Sequence, residues 1–95
     1  MVIIVQISRL KDVYSLTNEI RNSHSSKISK CKKELREIEL VNGDSIKFIS
    51  TRANDFCGKK ADAAIGPDAE YITAYSKLEK RIWTFTDLNN HIASI

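Results

Sequence analysis

Residues 2–7 read Val2-Ile3-Ile4-Val5-Gln6-Ile7, a continuous and mostly β-branched run. Apolar runs that lack polar alternation form strands buried on both faces, so this segment is expected to be the central strand of a sheet. Ser8 follows as a candidate N-cap. Leu10, Val13, Tyr14, Thr17 and Ile20 then recur at helical spacing until the polar stop Asn22-Ser23-His24-Ser25-Ser26. A strand that leads directly into a helix is a βα unit, and the rest of the chain is read outward from it.

Between Lys27 and Arg36 the chain carries Lys27, Lys30, Lys32, Lys33 and Arg36 against the single acid Glu34, and it runs into Glu37-Ile38-Glu39-Leu40. Charged and apolar residues alternate there, the mark of a half-buried strand. Asn42-Gly43-Asp44 is a hairpin signal, because Asn and Gly tolerate the positive φ angles that tight turns demand. Ile46-Lys47-Phe48-Ile49 resumes the apolar pattern on the far side, with Phe48 assigned to the core.

Residues 50–60 are polar and rich in turn formers, and read as an exposed loop. Ala61-Asp62-Ala63-Ala64-Ile65 is a second interior strand, stopped by Gly66-Pro67, with Pro67 placed near the first turn of a new helix. Ile72, Tyr75, Leu78 and Ile82 mark one face of that helix, Ile82-Trp83-Thr84-Phe85 reads as the next strand, and the tail from Thr86 as a short helical turn. The expected fold is α/β: a single small domain spanning residues 1–95, with a mixed sheet, a β-hairpin around Asn42-Gly43 and two main helices.

Composition agrees with one core. At 95 residues, 42% hydrophobic and 28% charged, the chain has enough apolar side chains to fold and too few residues for a second domain. A domain of this size has a thin core, so surface grooves and interfaces are expected before enclosed cavities. No stretch approaches the roughly 20 apolar residues that cross a bilayer. Cys31 and Cys57 could form at most one bridge and no secretory leader is visible, which points to a reducing, cytoplasmic setting.

Several chemistries lack their residues. Ser8-Arg9-Leu10 stands where a glycine-rich phosphate loop would join strand to helix, which argues against nucleotide hydrolysis. His24 and His91 have no cysteine or second histidine at metal-ligand spacing and are read as solvated loop residues; no metal or other cofactor is expected. Cys57 beside Gly58-Lys59-Lys60 is a thiol near positive charge, read as a loop residue rather than a nucleophile. No catalytic residue is assigned.

The formal charge of +3 gains meaning only if the cations cluster. Lysines alternating along a strand usually form a solvated face or guard a sheet edge. The functional alternative is a contact surface built from Lys30, Lys32, Lys33 and Arg36 and extended by Arg52, Phe56, Lys59 and Lys60. It would serve an acidic protein or the phosphates of a nucleic acid. Tyr71 and Trp83 are assigned mainly to the core, with interface anchoring as the alternative. An open sheet edge would also allow a symmetric homodimer.

Residues 39–70, from Glu-Leu-Val-Asn-Gly-Asp through Cys-Gly-Lys-Lys-Ala-Asp-Ala-Ala-Ile-Gly-Pro-Asp-Ala-Glu, resemble the centre of a phage large-terminase or helicase-type ATPase core, and small phage accessory proteins that share the pattern. In that family an Asn-Gly hairpin precedes a Gly-x-x-Ala-Asp step into the strand that ends in the magnesium-holding acids. Here Gly66-Pro67 falls where those acids would be, and Asp68 and Glu70 come later. The resemblance implies an ATPase-like scaffold without its active site: a non-catalytic phage-type accessory protein that binds and modulates, or inhibits, a host or phage protein. The alternative is a nucleic-acid-binding accessory protein using the basic hairpin and loop.

Overall fold

The run Val2–Ile7 forms strand β1 at the centre of the structure. The computed structural model of the chain describes residues 1–32, 36–51, 60–73 and 80–95. In chain order β1 is followed by α1 (Leu10–Ser23), a short 3-10 turn (Ser25–Lys27), β2 (Ile28–Lys32), β3 (Glu37–Leu40), β4 (Ser45–Ser50), β5 (Ala63–Ile65), α2 (Ala69–Ile72) and α3 (Phe85–Ala93). The strands make one mixed sheet in the order β2-β3-β4-β1-β5. β1 lies parallel to β4 and to β5, while β2, β3 and β4 form an antiparallel meander.

Burial on both faces explains the composition of β1. Ile3 and Val5 point into the main core, where α1 and α3 cover the sheet with Val13, Ile20, Leu88 and Ile92. Ile4 points the other way, into a smaller cluster with Ala64, Ala69 and Ile72 under α2. Each fully buried aliphatic side chain of this kind contributes roughly 1.5–3 kcal/mol, so β1 alone accounts for a sizeable share of the driving force. The small residues Ala63 and Ala64 of β5 are wholly buried and leave room for α2 to approach the sheet.

The Asn42-Gly43 hairpin joins β3 to β4 as expected. Gly43 has φ +94°, its N–H donates to the Leu40 carbonyl at 3.0 Å, and the Asn42 side chain bonds both the N–H and the carboxylate of Asp44. A β-carbon at such a φ would be strained, which is why glycine occupies it. Phe48 is buried in the main core, as assigned.

Four expectations need correction. The helix after Pro67 is described only over Ala69–Ile72; Tyr75 and Leu78 lie outside the described residues, and Ile82 is not on a helical face but forms a single parallel bridge with Ala64. The strand expected at Ile82–Phe85 is that one bridge. Thr84 instead caps α3: its hydroxyl accepts from the Asp87 N–H while the Asp87 carboxylate accepts from the Thr84 N–H. This reciprocal capping box satisfies donors that a strand would have left to a neighbour, so the tail becomes a nine-residue helix rather than a turn. At α1 the N-cap is Arg9, not Ser8, with no side-chain bond to the helix end.

Candidate binding trench beside the first helix

Helical spacing places Tyr14, Thr17, Asn18 and Arg21 along one flank of α1, at steps of three and four residues. That flank faces β2, the outermost strand of the sheet, whose outer edge pairs with no strand among the described residues. Between helix and edge runs a trench made of two adjoining clefts that share Asn18. The upper cleft, of about 340 Å³, is bounded by Tyr14, Thr17, Cys31, Arg36 and Glu37. The lower one, of about 470 Å³, is bounded by Arg21, Asn22, Ser25 and Ile28.

The trench combines apolar floor with polar lip. Val13 and Ile38 are core residues at its base, Thr17 is buried, and Tyr14 stands half exposed on the rim. Of the positions at helical spacing on α1, Val13, Thr17 and Ile20 fill the core side and Tyr14 is turned outward. Arg36, in the turn between β2 and β3, adopts φ +49°, a region that costs a non-glycine residue on the order of 1–2 kcal/mol. Its carbonyl accepts from the Phe48 N–H at 2.9 Å, which helps to hold Arg36 in that conformation, and its side chain is exposed at the trench end.

The other basic residues are placed differently from one another. Lys30 and Lys32 project from the opposite face of β2, where they stand across from Glu39 and Glu37, and Glu37 in turn stands across from Lys47. Lys32 Nζ donates to Glu39 Oε1 at 2.6 Å. This bond, with the attraction of the opposite charges, raises the Lys32 ammonium pKa and lowers that of the Glu39 carboxyl. The expected cationic stripe is therefore a ladder of alternating signs. Lys60 is exposed just before β5, at the end of the sheet where β1 begins, whereas Arg36 sits beside the end of β4. Lys33, Arg52, Phe56 and Lys59 lie outside the described residues, as does Cys57.

Two further polar clusters tie elements together. Asp44, almost fully buried, accepts from the Met1 amino group at 2.8 Å, from Asn42 at 2.9 Å and from His91 Nε2 at 2.7 Å. Burial works against ionisation of this carboxyl, but the three hydrogen bonds and the charge of the amino group outweigh it and hold the pKa at about 2. His91, expected as a solvated loop residue, is thus half-buried on α3, with its ring 5.2 Å from that of Trp83. The Ser94 hydroxyl donates to the His91 carbonyl rather than to its ring. At the far end of β1, Gln6 bonds Asp68 twice, donating to its carboxylate at 2.9 Å and accepting from its N–H at 2.7 Å.

Among the described residues no group of three His, Cys, Asp or Glu side chains converges on a point that could hold a metal ion. No helix among them is long and apolar enough to cross a membrane. Compared with known families, curated proteins and solved structures, the chain matches none.

Proposed function

We propose that this chain is a non-catalytic accessory protein that binds a partner protein by taking an extended, acidic segment of it along the open edge of β2. The observation that carries this reading is the coincidence of a strand edge left unpaired among the described residues with an adjoining trench. A segment added as a further strand gains main-chain hydrogen bonds from the edge, and alternate side chains enter the clefts beside α1. Arg21 and Arg36, with Glu37 the one acid lining the clefts among the described residues, favour acidic side chains at those positions. Lys30 and Lys32 disfavour a second copy of this chain, since pairing two β2 edges would bring like charges face to face.

Lys30 and Lys32 support a protein partner better than a nucleic acid, since each stands opposite a glutamate that would also meet the phosphates. Modulation of the partner would act by occupancy of the captured segment. The test is selection of an unstructured peptide display library on the wild-type protein, followed by nitrogen-15 NMR mapping of the winners. Acidic peptides whose resonance shifts fall on β2, Tyr14, Asn18 and Arg36, and whose affinity drops roughly tenfold or more in Arg36→Glu, are the expected result. Salt-steep binding of generic DNA abolished by Lys30→Glu with Lys32→Glu, without peptide enrichment, would replace this reading with the nucleic-acid one.

A further inference from the structure

We propose that the groove on the opposite flank of α1, between α1 and α3, docks a cationic amphipathic helix of a partner protein. This groove is separate from the trench. Its floor is Ile7, Leu16, Ile20 and Leu88, its volume about 420 Å³, and Phe85 stands on its rim with 44% of its surface exposed. An aromatic ring left this open beside an apolar floor is the composition of a binding anchor.

The charge of the rim selects the occupant. Asp12 and Glu19, two helical turns apart on α1, are the only charged residues that line the groove among the described residues. Asp12 already accepts from Arg9 at 3.2 Å, whereas Glu19 has no ion-pair partner among the described residues. An incoming segment is therefore favoured if it carries Lys or Arg beside its apolar side chains. The walls decide its conformation. Both are helices, whose backbone groups are bonded internally, so an extended segment would find no ladder to join and would leave its own amides unpaired. A helix brings its backbone already satisfied and can lay an apolar stripe against Leu16, Leu88 and Phe85. From Asp12 to Ile20 the groove is about 12 Å long, enough for roughly two turns.

The experiment uses the whole chain and a display library of helix-constrained peptides, randomised at every outward position. The expected winners carry apolar residues at i, i+3, i+4 and i+7 with an excess of Lys and Arg, and shift the resonances of Leu16, Glu19, Phe85 and Leu88. They should lose roughly tenfold or more in affinity to Glu19→Lys, an exposed change that leaves the core intact, and a similar amount to Phe85→Ala. Winners rich in Asp or Glu, winners indifferent to Glu19→Lys, shifts confined to β2 and Tyr14, or no enrichment at all would each overturn the proposal. A peptide seated in the trench instead would leave the reading of β2 standing, so the two sites fail independently.

Discussion

Nε2 of His91, on α3, lies 2.7 Å from Oδ2 of Asp44 in the β3–β4 turn, joining residues 47 positions apart. With the Met1 amino group on the other carboxylate oxygen, this contact fastens the last helix, the hairpin and the start of the central strand at one point. Everything that weakens Asp44 should loosen all three.

Stability should depend on this carboxylate in a defined pH window. Its pKa in the folded chain is about 2 against an ordinary value of 3.8, so the unfolded chain binds the proton more readily. The contribution is complete above about pH 4 and is lost as pH falls towards 2; the shift corresponds to roughly 2 kcal/mol. The Met1 amino group, raised above 8.0 mainly by its hydrogen bond to Asp44, acts with the opposite sign: its contribution is complete below pH 8 and lost as pH rises through the raised value. Urea midpoints across pH should show both limbs. Asp44→Asn should flatten the alkaline limb and shrink the acid one, leaving the part that Glu39 and Asp87 supply, since hydrogen bonds from Lys32 and from the Thr84 backbone lower those two as well.

Gly66→Ala should be among the most damaging single-methyl additions. Gly66 has φ +135°, and a β-carbon there would lie 2.5 Å from Gln6 Cβ and 2.7 Å from its Oε1. The strain and the clash together should cost roughly 2–4 kcal/mol and break the two hydrogen bonds between Gln6 and Asp68. Chemical denaturation measures the loss. A variant as stable as the wild type would show that the β5–α2 turn is built differently.

Thr84→Val separates the observed helix cap from the strand expected at the same place. Valine is a better strand former than threonine but has no oxygen to accept from the Asp87 N–H. Loss of the cap should cost about 1 kcal/mol and speed amide exchange in the first turn of α3. Unchanged or improved stability would favour a strand at residues 82–85.

Cys31 reports on the trench. It is a half-buried free thiol lining the upper cleft. In a Cys57→Ser background its alkylation should slow severalfold when a trench-binding peptide is present, and should not respond to peptides selected for the α1–α3 groove. Equal protection by both would mean that the two grooves are coupled or that the peptides share a site.

Much of the scaffold was legible in local chemistry. The unbroken apolar run of β1 could be satisfied only by burial on both faces, and Asn42-Gly43 could be accommodated only in a tight turn. The end of the chain was harder, because Ile82-Trp83-Thr84-Phe85 has strand composition and the decision fell to a three-residue capping relation between Thr84 and Asp87. Spacing of the Thr-x-x-Asp kind is present in the sequence and is the signal that would have found it. The candidate sites were less visible. Lys30 and Lys32 read as a cationic stripe until register set Glu39 and Glu37 opposite them, and register is a property of strand pairing, not of either strand.

The α/β class, the central strand, the hairpin and the apolar positions of α1 follow from local sequence, because periodicity, β-branching and turn residues act within a few neighbours along the chain. Tertiary packing was needed to set β2 outermost among the described strands, to divide one face of the sheet at α1 into a cationic trench and an acidic groove, and to bring Asp44 to His91. Those relations depend on which strands pair and where helices cross the sheet. They arise from burying all the apolar faces at once, a condition on the whole chain that no single segment carries.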